Sequence, residues 1–171
     1  AFPLTKSSKS SMVRYFFAFA VLTQHGEYFI EPKLDGERIQ LHKRGDEYRY
    51  WSRKGKEYTY LYGASKDEGS VTPYIQACFD PSVREIILDG EMVTFNPDSK
   101  QFVPFSTLKS AALGMRFMFL SALRLTECRL IADGANHPCF VSFDIVYLNG
   151  ECIIAQPLNV RRSFLEKVVR P

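Results

Sequence analysis

In the stretch YFIEPKLDGERIQLHKRGDEYRYWSR, Tyr28 to Arg53, four charged side chains crowd around one glycine: Lys33, Asp35, Glu37 and Arg38 flank Gly36. Four charges in six residues, a lysine and an arginine among them, could form an active site built on a turn between two strands. The same charges also suit a solvated hairpin tip. Two further pieces carry candidate groups: Glu91 in LDGEM and Phe143 in SFDIVYLNG. Read singly, Asp89-Gly90 is a common turn and Phe143 a core side chain. KLDGER is different, because turn chemistry gives no reason for a lysine at the end of a β-run next to an arginine.

These groups must be positioned by strands. Tyr28 to Lys33 reads as one strand, which would put Glu31 and Lys33 on the same face. Ile39 and Leu41, then Tyr48, Tyr50 and Trp51, suggest two more, joined at KRGDE as a hairpin. GASKDEGS is a loop. Thr72-Pro73 offers a helix N-cap followed by proline in the first turn, with the helix running to about Phe79. REIILDGEMVTFN reads as two short β-pieces hinged on Asp89-Gly90. CFVSFDIVYLNG reads as a strand buried on both sides, from its near-continuous apolar run. Val160, Phe164 and Val168 recur at helical spacing in NVRRSFLEKVV. Strands dominate, with a few helices outside them, so the expected class is α+β with largely antiparallel pairing.

The chain of 171 residues is 46% hydrophobic and 24% charged, the profile of one ordinary globular domain with a real core. A net charge of +3 permits a polyanionic partner without requiring one. Cys78, Cys128, Cys139 and Cys152 form no CxxC pair, which argues against structural zinc and for reduced thiols in an intracellular protein. His25, His42 and His137 lack ligand spacing and read as surface or loop residues. The run YFFAFAVL after Lys6, Lys9 and Arg14 imitates a targeting signal, but it is too short to span a bilayer.

Taken together and in this order, the three pieces carry a resemblance. EPKLDGER matches the KxDGxR nucleotidyltransferase signature of ATP-dependent DNA ligases, which mRNA capping enzymes and some RNA ligases share. WSRKGKEYTYLYG, ILDGEMVTFNP, PFSTLKSAAL and FDIVYLNG…PLNVRRSFLEKVV narrow it. They resemble the adenylation domain of the eukaryotic type-four, end-joining ligase in a fungal-like version. The likeness covers about Glu27 to Leu113 and Cys139 to Arg170. It implies an ATP-grasp-like nucleotidyltransferase domain, here incomplete, over residues 27–171, after an atypical lead-in at 1–26.

The resemblance also implies a chemistry. Lys33 would attack the α-phosphate of ATP, release pyrophosphate and carry AMP as a phosphoramide. A lysine amine is almost wholly protonated at neutral pH, so burial, a nearby cation such as Arg38 or a bound metal would have to favour its neutral form. Glu31 would accept from the adenine amino group, and Pro32 and Leu34 would give main-chain contacts. Arg38 would hold ribose and phosphate oxygens. Glu91 would bind the ribose hydroxyl and help hold Mg²⁺, a hard cation suited to carboxylate oxygen. Phe143 would stack on adenine, Asp35 would orient the turn, and Arg53 would contact phosphate or the nick. The implied partners are DNA and an end-joining scaffold protein, in the nucleus, with no membrane.

Two blocks depart from the pattern: MVRYFFAFAVLTQ, and GMRFMFLSALRLTECRLI within an insert at about 114–131. Both read either as insertions or as translated introns. The family's EGxxxK motif, its next lysine motif and its oligonucleotide-binding-fold domain lie outside the match. The chain as given is therefore expected not to be competent on its own, and a non-catalytic remnant stands as one alternative; an RNA ligase or capping nucleotidyltransferase, which shares the signature, stands as another.

Overall fold

The structure, a computed structural model, describes residues 31–114 and 135–170. Both departing blocks fall outside the described residues apart from Gly114, as do His25 and Cys128. The chain forms two compact units, residues 1–33 and 34–171. Of the first, Glu31, Pro32 and Lys33 are described, and all three are exposed and irregular. The strand expected up to Lys33 is therefore not formed at these residues. Pro32 has no N–H to give to a strand ladder.

The second unit is built on an all-antiparallel sheet. Its strands are β1 (Glu37–Arg44), β2 (Glu47–Ser52), β3 (Glu85–Asn96), β4 (Gln101–Val103), β5 (His137–Leu148) and β6 (Glu151–Cys152). They run in the order β2-β1-β3-β5-β6, with β4 pairing β3 alongside. The helices are α1 (Thr59–Tyr62), α2 (Thr72–Ile75), α3 (residues 108–114) and α4 (Leu158–Val168). This is the α+β, largely antiparallel architecture expected. The hairpin forms at Gly45, which adopts a φ of 56°, the left-handed conformation glycine takes without strain.

Alternation along β1 fixes the two faces. Ile39 and Leu41 are fully buried and meet Leu88, Met92 and Ile145 in a core that Tyr50, Tyr62 and Leu108 complete. Arg38, Gln40 and His42 lie on the other face. In α4, Leu165 is buried, with Phe164 and Val168 packed partly against the core.

Several expectations are corrected. LDGEM is not a turn: Asp89-Gly90 lies inside the continuous β3. Gly90 is needed for its missing Cβ, which would come within 2.6 Å of the Phe140 ring. Gly36 serves likewise, since a Cβ there would collide with the Met92 carbonyl oxygen. The glycine of KLDGER thus admits a strand backbone. Thr72 is not an N-cap: Val71 holds that place, and the buried Thr72 hydroxyl donates to the Gly63 carbonyl at 2.7 Å and bonds Tyr50 Oη at 2.7 Å. Beyond Ile75 the helix tightens into a 3₁₀ turn, Gln76–Cys78. β5 is mostly half-buried, not buried on both faces. His42 and His137 are strand residues, each half-buried.

Candidate functional site

On the face of the sheet away from Ile39 and Leu41, three residues of the second unit named from sequence come together. Arg38 pairs in register with Glu91 across β1 and β3. The Arg38 guanidinium lies 5.9 Å from the centre of the Phe143 ring, within the range of a cation–π contact. Residues 38, 91 and 143 are far apart in the chain, so strand pairing alone assembles them.

A β-bulge presents Phe143. Asp89 pairs with Asp144 and Gly90 with Ser142, so Phe143 is an extra residue in β5. Ser142 and Ile145 point to the core side through their partners Gly90 and Leu88. The bulge lets Phe143 and Asp144 both serve the opposite face, which strict alternation would forbid.

Arg38 is held by a bidentate ion pair. Its Nε donates to Asp89 Oδ1 at 3.0 Å and its Nη2 to Oδ2 at 2.5 Å. The Asp89 side chain is 8% exposed and that of Arg38 53%. One edge of the guanidinium is thus anchored on a buried carboxylate while the group still reaches solvent. Hydrogen bonding to Asp89, then its charge, raises the Arg38 pKa further, with smaller contributions from Glu91 and Asp144. Arg38 is a fixed cation at any working pH.

A cleft of about 390 Å³ adjoins this group, lined by Arg38, Gln40, His42, Trp51, Arg53 and Asp89 among others. Guanidinium, imidazole and indole groups in one cleft suit an anionic ligand that carries a ring. A larger cavity, about 600 Å³, lies against the other face, where Leu41, Leu88, Phe140 and Leu165 line it. Its apolar lining belongs to the core side, away from the charged row.

The remaining sequence-named residues are placed as follows. Glu31, Pro32 and Lys33 belong to the first unit and are exposed. Leu34 is half-buried, and Asp35 is exposed. No cluster of three or more His, Cys, Asp or Glu suited to a metal ion occurs among the described residues.

Sequence reasoning missed Asp144 and Arg161. Arg161, in the first turns of α4, donates from Nε to Asp144 Oδ1 at 2.8 Å and from Nη2 to Oδ2 at 2.9 Å. The available signal was an aspartate inside the apolar run SFDIVYL, since a carboxylate in such surroundings calls for a partner.

A family model described as ATP dependent DNA ligase domain matches residues 7–171. A protein named DNA ligase 4 from Coprinopsis cinerea is 45% identical over 145 residues, covering 85% of this chain and 13% of the relative. DNA ligase 4 from Saccharomyces cerevisiae is 36% identical over 151 residues, covering 87% and 15%. The chain thus spans roughly an eighth of the length of the first of these relatives. Among solved structures, the ligase domain of M. tuberculosis LigD shares the fold, with a TM-score of 0.51 at 22% identity over 80% of this chain and 35% of that one.

Proposed function

The chain belongs to the ATP-dependent DNA ligase family, and from that membership we propose that it carries the step in which a ligase takes AMP from ATP onto a lysine. The meeting of Arg38, Glu91 and Phe143 on one face of the sheet carries this reading.

Lys33 is the nucleophile. Its neutral Nζ attacks the α-phosphorus of ATP, and an N–P bond forms as the bond from that phosphorus to the bridging oxygen breaks. Pyrophosphate leaves with the electron pair, and the amine proton passes to water. Arg38, anchored by Asp89, holds ribose and phosphate oxygens with its solvent-reaching side, a fork geometry suited to both. Phe143 supplies an apolar plane for adenine. Glu31 accepts from the adenine amino group, and Pro32 and Leu34 give main-chain contacts.

Mg²⁺ fits this donor set in one mode. Both oxygens of Asp89 and of Asp144 are taken by arginines, and the family likeness assigns the ion to Glu91. Magnesium is commonly held by one or two carboxylates together with substrate phosphates, so Glu91 and the triphosphate would share it. When bound it supplies charge neutralisation on the phosphates. Glu91 also binds the ribose hydroxyl.

The second substrate of this reading is a broken DNA strand, joined in end-joining repair in the nucleus with a scaffold protein as partner. Relatives named DNA ligase 4 support it. Arg53, which lines the cleft, would contact phosphate or the nick.

Titration calorimetry with ATP and with GTP tests the nucleotide assignment. Trp51, the one tryptophan of the chain, lines the cleft beside Arg38 and gives a fluorescence signal in parallel. Saturable binding of ATP, weaker binding of GTP and loss of both responses in Arg38→Ala are expected. A preference for GTP would point to the capping class instead. Absence of any ATP binding would overturn the proposal.

A further inference from the structure

We propose that Arg161 is a positioning residue for the nucleotide site: it fixes the Phe143–Asp144 bulge and keeps Asp144 from drawing Arg38 off Asp89. This rests on the reading of Arg38 and Phe143 as nucleotide contacts.

Asp89 and Asp144 are direct register partners on β3 and β5, and like charges opposite one another across a sheet repel. Each is neutralised from its own side, Asp89 by Arg38 and Asp144 by Arg161. The row therefore reads plus, minus, minus, plus across three strands and a helix. The two outer members differ. Arg38 has a side-chain exposure of 53% and Arg161 of 16%. Arg161 is also tied down a second time, since its Nη1 donates to the Gln156 carbonyl at 2.5 Å and the Ile154 carbonyl at 3.4 Å. With both edges of its guanidinium engaged it acts as a strut between the loop before α4 and the bulge.

The consequence falls on Phe143 and Arg38 together. Asp144 follows Phe143 directly, so a carboxylate held at both oxygens restrains the backbone that aims the ring. Arg38 also feels the charge of Asp144. Were Arg161 lost, Asp144 would stand unpaired beside Asp89, and the nearby Arg38 would be shared between two carboxylates. The aromatic plane and the phosphate-facing guanidinium would both shift.

Calorimetric ATP affinity and unfolding midpoints are measured for the full chain and for R161Q, R161K, D144N and R161Q/D144N. R161Q is expected to weaken ATP binding on the order of tenfold, the scale of a lost charge-assisted contact. The double variant removes the competing charge and should recover part of that loss of ATP affinity. A purely structural strut gives no such rescue. R161K keeps the cation but loses the fork, so it should bind ATP more tightly than R161Q and less tightly than wild type, which keeps the test open if R161Q does not fold. Wild-type affinity in R161Q, a double variant as weak as R161Q, or R161K as weak as R161Q overturns the inference while ATP binding by the wild-type chain stands. No ATP binding by the wild-type chain overturns the underlying reading as well.

Discussion

The ring of Phe140 lies over the α-carbon of Gly90, so close that a Cβ there would come within 2.6 Å of the ring and 2.7 Å of the Val141 carbonyl oxygen. β3 and β5 meet at this point, and one residue further along each strand lie Glu91 and Val141, which pair in register. Gly90→Ala is expected to force the two strands apart and to cost about 1–3 kcal/mol, the range for overpacking a core. Urea unfolding monitored by Trp51 fluorescence measures this. A stability equal to wild type would show that Phe140 moves aside freely.

Arg38 has a structural duty besides its proposed contact with nucleotide. In Arg38→Ala the Asp89 carboxylate, 8% exposed, loses its bidentate partner. An acceptor left buried in this way costs about 1–3 kcal/mol. Arg38→Ala/Asp89→Ala removes both members and should recover part of the loss, which a double-mutant cycle of unfolding free energies will show. Strict additivity of the two changes would contradict the pairing.

His42 gives the fold a weak dependence on acid. Burial lowers its pKa below the ordinary 6.5. Its register partners are Arg49 on β2 and Ile87 on β3, Gln40 Oε1 is 3.4 Å from its Nε2, and it shares the cleft with Arg38, Arg53 and Asp89. The unfolded chain takes up the proton first as pH falls through 6.5, so the folded state loses this contribution from there down to the lowered value. Melting temperature should therefore decline across that window, and His42→Gln should flatten the decline. An unchanged slope in the variant would assign the acid sensitivity elsewhere.

Much of this was legible in the sequence, for reasons that can be named. The hairpin β1–β2 follows from alternation and a glycine turn, and α4 from its apolar spacing, because both signals are local. Arg38, Glu91 and Phe143 were named through the motif likeness, and strand pairing brings them to one face. Asp89-Gly90 was misread, because a glycine beside an aspartate suggests a turn when only the chain is visible. Here that glycine makes room for a ring from a strand some fifty residues away. Asp144 and Arg161 stayed hidden because a bulge breaks the alternation that assigns side chains to faces. The strand expected to end at Lys33 fails at Pro32, whose missing N–H was in plain view.

Phe143 is a proposed adenine platform, half-buried and beside Arg38. Phe143→Ala should weaken ATP binding by about 1–3 kcal/mol, the range for one base stacked on an aromatic ring. Phe143→Tyr keeps the plane and should bind nearly as wild type. Calorimetry separates the two. Equal losses in both variants would mean that the ring acts through packing and does not stack on the base.

The direct test is covalent. The chain is incubated with ATP labelled at the α-phosphate and Mg²⁺, and the product is mapped by peptide mass spectrometry after quenching at alkaline pH. The proposed chemistry predicts an acid-labile, hydroxylamine-sensitive AMP adduct on Lys33, absent from Lys33→Ala and reduced in Phe143→Ala. An adduct that persists in Lys33→Ala, or that maps to any other residue, would contradict the assignment.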